Sequence, residues 1–151
     1  MEVVRPKKCW IGWETGKDYY KGMATRLFPA DKAFSFLVRT RDKWACKAPR
    51  CTNRYEPPTM ALHCSHFYGR GKWNTRFDPA NAWSFCYGHH RYYDKHIGEY
   101  EALKIEELGQ RQFDGLTARA WARSPLGSNF WKKLSYKKAM EILEPLFDGL
   151  A

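Results

Sequence analysis

The sequence is short of several things, and each shortage excludes something. No run approaches the roughly 18 consecutive apolar residues that a membrane-spanning helix needs. The opening stretch, MEVVRPKKCWIGWETGKDYYKG, holds no apolar segment of the signal-peptide kind. A cytosolic protein with no membrane partner is the expectation. Acidic residues are scarce: 16 Asp and Glu stand against 26 Lys and Arg, a formal charge of +10. That imbalance favours a polyanionic partner, nucleic acid first and an anionic membrane surface second. No internal repeat and no low-complexity tract occurs. With 44% hydrophobic and 17% aromatic residues the chain has material for a core and does not read as disordered. Its 151 residues suit one domain.

Cysteine and histidine are also few, five of each, but they are not scattered. All five histidines fall between His63 and His96, and Cys64 and Cys86 fall there too. In a reducing cytosol such crowding points to metal before disulfide. Cys9 lies far from the crowd and reads as a bystander that behaves as a small hydrophobe.

Along the chain, residues 1–30 are polar and aromatic without periodicity, an irregular arm suited to a nucleic-acid contact. DKAFSFLVRTRDKW predicts a helix with Asp31 as N-cap and Phe34, Leu37, Val38 and Arg41 at helical spacing. CKAPRC is a tight turn and YEPPT a breaker. MALHCSHF and AWSF predict two short strands, joined by the long basic loop YGRGKWNTRFDPAN. CYGHHRYYDKH predicts a turn running into a helix. Two helices broken near Gly109 follow, then SPLGSNFW as a linker. The last helix takes Ser135 as N-cap and a packing stripe of Tyr136, Ala139, Met140, Leu143 and Phe147.

Two constellations carry chemistry. Cys46 and Cys51 flank KAPR, and Cys86 and His89 flank YG. Two turns, each presenting two soft ligands, suit tetrahedral Zn²⁺ as a structural staple, with Cys64 or His63 open as a substitute ligand. The second constellation is His66, Asn81 and His90. A strand ending in His, a basic loop, Asn, a strand and a helix beginning with His form a ββα-metal arrangement. Phosphodiester hydrolysis needs a base for the attacking water and a cation for the developing charge. His66 is the candidate base, since imidazole exchanges protons near neutrality. His90 is the candidate ligand of a catalytic ion, with Asp94 one turn on at i+4 and His63 open as a further ligand. Asn81 would pin the loop through backbone hydrogen bonds and orient His66. Arg70, Lys72, Arg76 and Arg91 are candidate DNA contacts. Trp73 would either stack on an unpaired base or cover the zinc turn, and His96 reads as a surface residue near the helix end.

The ordered set His66, Arg70, Thr75-Arg76-Phe77-Asp78, Asn81, Cys86 and His90 resembles the HNH (His-Me finger) endonucleases, and is most similar to the phage NinG/Rap recombination endonucleases. The match is good over residues 34–110, looser beyond, and barely present over 1–30. The resemblance implies a small α+β fold: a zinc-stapled ββα-metal core over 31–110, an N-terminal arm over 1–30 and a helical extension over 111–151. It implies a divalent-metal-dependent DNA endonuclease acting on branched or structured DNA in phage recombination, in the host cytoplasm. His66 would be the base, Asn81 the orienting residue and His90 the metal ligand. The catalytic ion expected at an oxygen- and water-rich site is Mg²⁺ or Mn²⁺, with Zn²⁺ or Ni²⁺ left open by His90. Two positions depart from the family pattern. His89 stands where Cys is usual, and Ser65 stands where many relatives carry an Asp or His ligand. The rival expectation is a non-catalytic zinc-stabilised DNA-binding protein. A third, an adaptor working through the C-terminal helices, leaves the histidines unexplained. Paired nicks would need a homodimer.

Overall fold

The structure is a computed structural model that describes residues 27–57, 59–123 and 127–150. The N-terminal arm up to residue 26, Cys9 included, lies outside the described residues. The elements run α1 (Pro29–Arg41), β1 (Leu62–His66), a 3₁₀ turn (Pro79–Asn81), β2 (Ala82–Cys86), α2 (Tyr87–Lys95), α3 (Ile97–Leu108), α4 (Gln110–Trp121), α5 (Gly127–Lys132), α6 (Tyr136–Leu143) and a closing 3₁₀ turn (Glu144–Phe147). This is an α+β domain around one two-stranded antiparallel hairpin.

Two strands alone are marginal in water, so the hairpin depends on what covers it. All five residues of β2 are buried, as a strand covered on both faces requires. The register pairs His63 with Phe85, Cys64 with Ser84, Ser65 with Trp83 and His66 with Ala82. Side chains alternate along a strand, so this register sorts them between two faces. Cys64 and Ala82 pack with Phe34, Leu37 and Val38 of α1, and with Ala139 and Leu143 of α6. Trp83 and Phe85 pack instead with Tyr93 of α2 and Tyr100 of α3. The pair Leu62 and Cys86, at the open end, is the exception and joins the second face.

α1 begins three residues before the expected start. Phe28 is the N-cap and Pro29 fills the first helical position, where its missing N–H is no loss. Asp31 is therefore not the N-cap but sits at N3, and its Oδ2 accepts the Phe28 N–H at 2.7 Å. Arg41, counted above with the apolar stripe, is a staple: Nη1 donates to Pro79 O and Nη2 to Ala82 O, both at 2.7 Å. It thereby ties the end of α1 to the start of β2. The break between α3 and α4 falls at Gly109, whose φ of +79° suits a residue without a Cβ. Ser135 caps α6 as expected, its Oγ accepting the Lys138 N–H at 3.2 Å. The expected linker SPLGSNFW is corrected: its second half belongs to α5, whose Trp131 lies 4.5 Å, ring to ring, from Phe77. Tyr136 of the expected stripe is exposed, while Ala139 and Leu143 are fully buried.

Candidate metal centre and its basic loop

Cys46 and Cys51 come from the turn after α1. That turn closes by Cys51 N–H to Ala48 O at 3.1 Å and is held to the hairpin by Lys47 N–H to Ser84 O at 2.8 Å. Cys86 ends β2 and is the N-cap of α2, which puts His89 in the first helical turn. The ligand atoms of Cys46, Cys51, Cys86 and His89 all lie within 4.8 Å of one another. His89 Nδ1 is 3.2 Å from Cys86 Sγ and 3.6 Å from Cys46 Sγ. The S···N edge of a tetrahedral zinc site is about 3.6 Å from its bond lengths, so the donor set fits the ion in type, number and spacing. Hydrogen bonding from the Cys46 thiol, with a smaller contribution from backbone at His89, holds the Cys86 thiol far below its ordinary range; the Cys46 thiol is pushed up in return. The pair thus gives up its first proton readily, as a thiolate ligand must. Cys64 and His63 are not part of the cluster: Cys64 packs on the α1 face, and His63 turns to His90.

Asn81 is fully buried and bonds to the loop backbone at three points. Its Oδ1 accepts the Tyr68 N–H at 2.8 Å, and its Nδ2 donates to Tyr68 O and Thr75 O, each at 2.9 Å. The loop from 67 to 81 is therefore closed on itself. Asn81→Ala would strand a buried N–H and two carbonyls, and should cost about 2–4 kcal/mol in chemical denaturation. An unchanged midpoint would mean that water replaces the amide.

His66 sits at the end of β1, its ring stacked on Phe34 at 5.5 Å. Nε2 is 2.9 Å from Arg76 O. A carbonyl only accepts, so Nε2 carries the proton and Nδ1 the lone pair. Burial lowers the His66 pKa to about 4, with the Arg76 carbonyl opposing that shift, so the ring is neutral at pH 7. His90 lies below the other face. Its Nδ1 is 3.0 Å from Nδ1 of His63, and its Nε2 is 3.7 Å from Asp94 Oδ1 across the i,i+4 turn. Burial lowers the His63 and His90 pKa values as well. The structure thus brings His90 to Asp94 and His63, while His66 leaves the hairpin on the α1 side. Among the described residues, the cysteine cluster is the one group of three or more ligand side chains tight enough for an ion. Arg70 is the charge common to both rings: it disfavours protonation of His66 and of His90. Ser65 is fully buried, with its carbonyl accepting the Tyr100 hydroxyl at 3.1 Å.

The loop cations divide. Arg76, expected on DNA, is corrected: it has no exposed surface. Its Nε and Nη2 grip the Asp31 carboxylate at 2.8 and 2.7 Å, and Nη1 donates to Arg70 O at 2.9 Å. Trp73 is half-buried beside it, 4.3 Å from the guanidinium to the ring centre, and packs on the α1 core, away from the zinc turn. Lys72 holds its ammonium 3.3 Å from the ring centre of Trp121. Arg91 is exposed, donating to Tyr87 Oη at 2.9 Å. His96 is exposed, its ring stacked on Tyr92 at 4.0 Å.

Sequence reasoning overlooked Lys104. This lysine is fully buried, donates to Ala80 O at 2.9 Å and lies 4.2 Å from the Trp83 ring centre. It supports the turn next to Asn81 from α3. Burial lowers its pKa to about 7. Lys104 is the one lysine of α3, on a helix with four glutamates, and a lone lysine among acids reads as a surface residue.

No family model, no curated protein and no solved structure matches this chain significantly. The chain is a small α+β domain with a β-hairpin and a Cys3His cluster of zinc-binding type. No helix among the described residues is long and apolar enough to cross a membrane.

Proposed function

We propose that this chain is a DNA-binding protein organised around a structural zinc. The observation that carries the reading is the gathering of Cys46, Cys51, Cys86 and His89 at the junction of β2 and α2. That staple fixes the hairpin whose connecting loop holds Arg70 and Lys72, in a chain with a formal charge of +10. Phosphate contacts from such cations give affinity that falls steeply with salt.

A second reading adds hydrolysis: a divalent-metal-dependent endonuclease of the His-Me finger kind, cutting branched DNA in phage recombination. The order β1, pinned loop, β2, α2 favours it, as do the Asn81 pin and the tautomer that Arg76 O imposes on His66. In that reading His66 Nδ1 would take the proton of an attacking water, and His90 with Asp94 would hold Mg²⁺ or Mn²⁺, completed by water; the strand parity that turns His66 to Phe34 and His63 to His90 counts against it. Arg70 and Arg91 would meet phosphate.

The test is labelled linear, nicked, flap and four-way DNA, incubated with Mg²⁺, Mn²⁺, Ni²⁺ or Zn²⁺. Under the endonuclease reading the wild type gives product, and His66→Ala gives none while its gel-shift affinity stays within about threefold. A salt-sensitive shift with no product in any ion supports binding alone. No shift at low salt ends both readings.

A further inference from the structure

Trp121 ends α4 with 69% of its surface open, more than any other large apolar side chain among the described residues. A solitary exposed aromatic needs no explanation. This one has a distinctive setting, because the basic loop is clasped along α4 and runs out at it. The Tyr68 hydroxyl is 2.8 Å from Thr117 Oγ1, and Arg119 Nη2 is 2.8 Å from Asp78. Asn74 Nδ2 donates to Ala122 O at 2.7 Å, and the Lys72 ammonium covers one face of the indole at 3.3 Å. Arg123 is exposed two residues on.

The charges decide what this surface can take. Lys72 on the ring and Arg119 and Arg123, each two positions from Trp121 in sequence, are all cationic, and of these Arg119 is already paired with Asp78. A second copy of the chain would bring another +10 against this surface, so an indole-to-indole contact between copies is disfavoured. An unpaired nucleobase fits better. Its π-face stacks on an aromatic ring, and its flanking phosphates meet the cations beside that ring.

We propose that Trp121 and Lys72 form a stacking seat for an unpaired base of a DNA strand, with Arg123 on a flanking phosphate. The proposal rests on the DNA-binding reading and adds the preference for unpaired bases. The base takes the open face of the indole, opposite Lys72. Trp73, half-buried against the α1 core, plays no part in it.

Fluorescence anisotropy tests this with the full chain and three labelled DNAs at one salt concentration: a single strand, a duplex with a bulged base and a blunt duplex. Trp121→Ala should weaken binding to the first two by roughly tenfold, the worth of one base stack. It should leave the blunt duplex within about twofold, since phosphate contacts carry that complex. Trp121→Phe should restore most of the loss, and both variants should melt like the wild type because the side chain is exposed. If Trp121→Ala weakens all three equally, or none, the seat is wrong and DNA binding stands. Should the wild type bind none of the three DNAs, the seat and the DNA-binding reading fail together.

Discussion

Removing zinc should lower the thermal midpoint of this protein by roughly 15 °C or more, on the estimate of at least ~5 kcal/mol lost at 2–4 °C per kcal/mol. The size follows from where the four ligands stand. Cys46 and Cys51 belong to the turn after α1; Cys86 and His89 belong to the junction of β2 and α2. An ion held by these four would close a loop from residue 46 to residue 89 and anchor the open end of the hairpin, where Cys86 pairs with Leu62. Without it, the thiols of Cys46 and Cys86 face each other and an imidazole with only a shared proton to hold them. Structural zinc sites of this type contribute free energy comparable to the whole stability of a small domain. The measurement is a calorimetric or circular-dichroism melt before and after chelation, with metal content by elemental analysis. One zinc per chain is expected. Cys86→Ser should lose the metal and match the chelated protein. Cys64→Ser, on the α1 face outside the cluster, should keep the metal and cost about 1 kcal/mol for a hydroxyl among apolar neighbours. A protein purified without zinc, whose melt ignores chelator, would remove the staple from the account.

The ligand cluster was legible because its signal is short-range. Pairs of ligands at fixed small spacing survive any arrangement of the rest of the chain, and C-x4-C with C-x2-H met in space as written. The two strands, the entry to α2, the Gly109 break and the Ser135 cap were legible for the same reason: each depends on a few consecutive residues. The fates of the loop cations were not legible. Arg70, Lys72 and Arg76 look alike in sequence, three positive charges among Gly, Trp and Asn. What separates them is one carboxylate, Asp31, 45 positions upstream, that reaches Arg76 alone. Lys104 poses the same difficulty, since its partner is the carbonyl of Ala80, 24 positions away. His66 and His90 show a third limit. The pattern places both beside the hairpin, but strand parity decides the face, and it sends His66 to Phe34 and α1 while His63 turns to His90. Parity follows from register, and register is fixed by the whole of the packing on both faces.

Replacing Arg76 with Ala should destabilise the fold by about 3–5 kcal/mol, because the variant leaves the Asp31 carboxylate buried without its counter-charge. Both partners of the pair are almost wholly inside: side-chain exposure is 0% for Arg76 and 5% for Asp31. The geometry is bidentate, Nε to Oδ1 and Nη2 to Oδ2, and the third nitrogen is spent on Arg70 O. Trp73, Phe28 and Phe77 surround the guanidinium at 4.3–5.8 Å, so the plane of the group is used as well as its charge. A lysine matches none of that fork, and Arg76→Lys should recover little of the loss. Asp31→Asn with Arg76→Met removes both charges and should stand well above Arg76→Ala, as replaced buried pairs commonly do. The same experiment separates this role from the one the basic loop suggests. A surface arginine on phosphate would leave the urea midpoint alone and shorten the salt dependence of DNA binding by about one ion. A buried Arg76 does the reverse: the midpoint falls, and the folded fraction binds DNA with an unchanged salt slope. Because the Arg76 carbonyl also holds His66 Nε2, the loss should spread to the end of β1, where the exchange of the Phe67 amide, bonded to Asn81 O at 2.8 Å, should quicken.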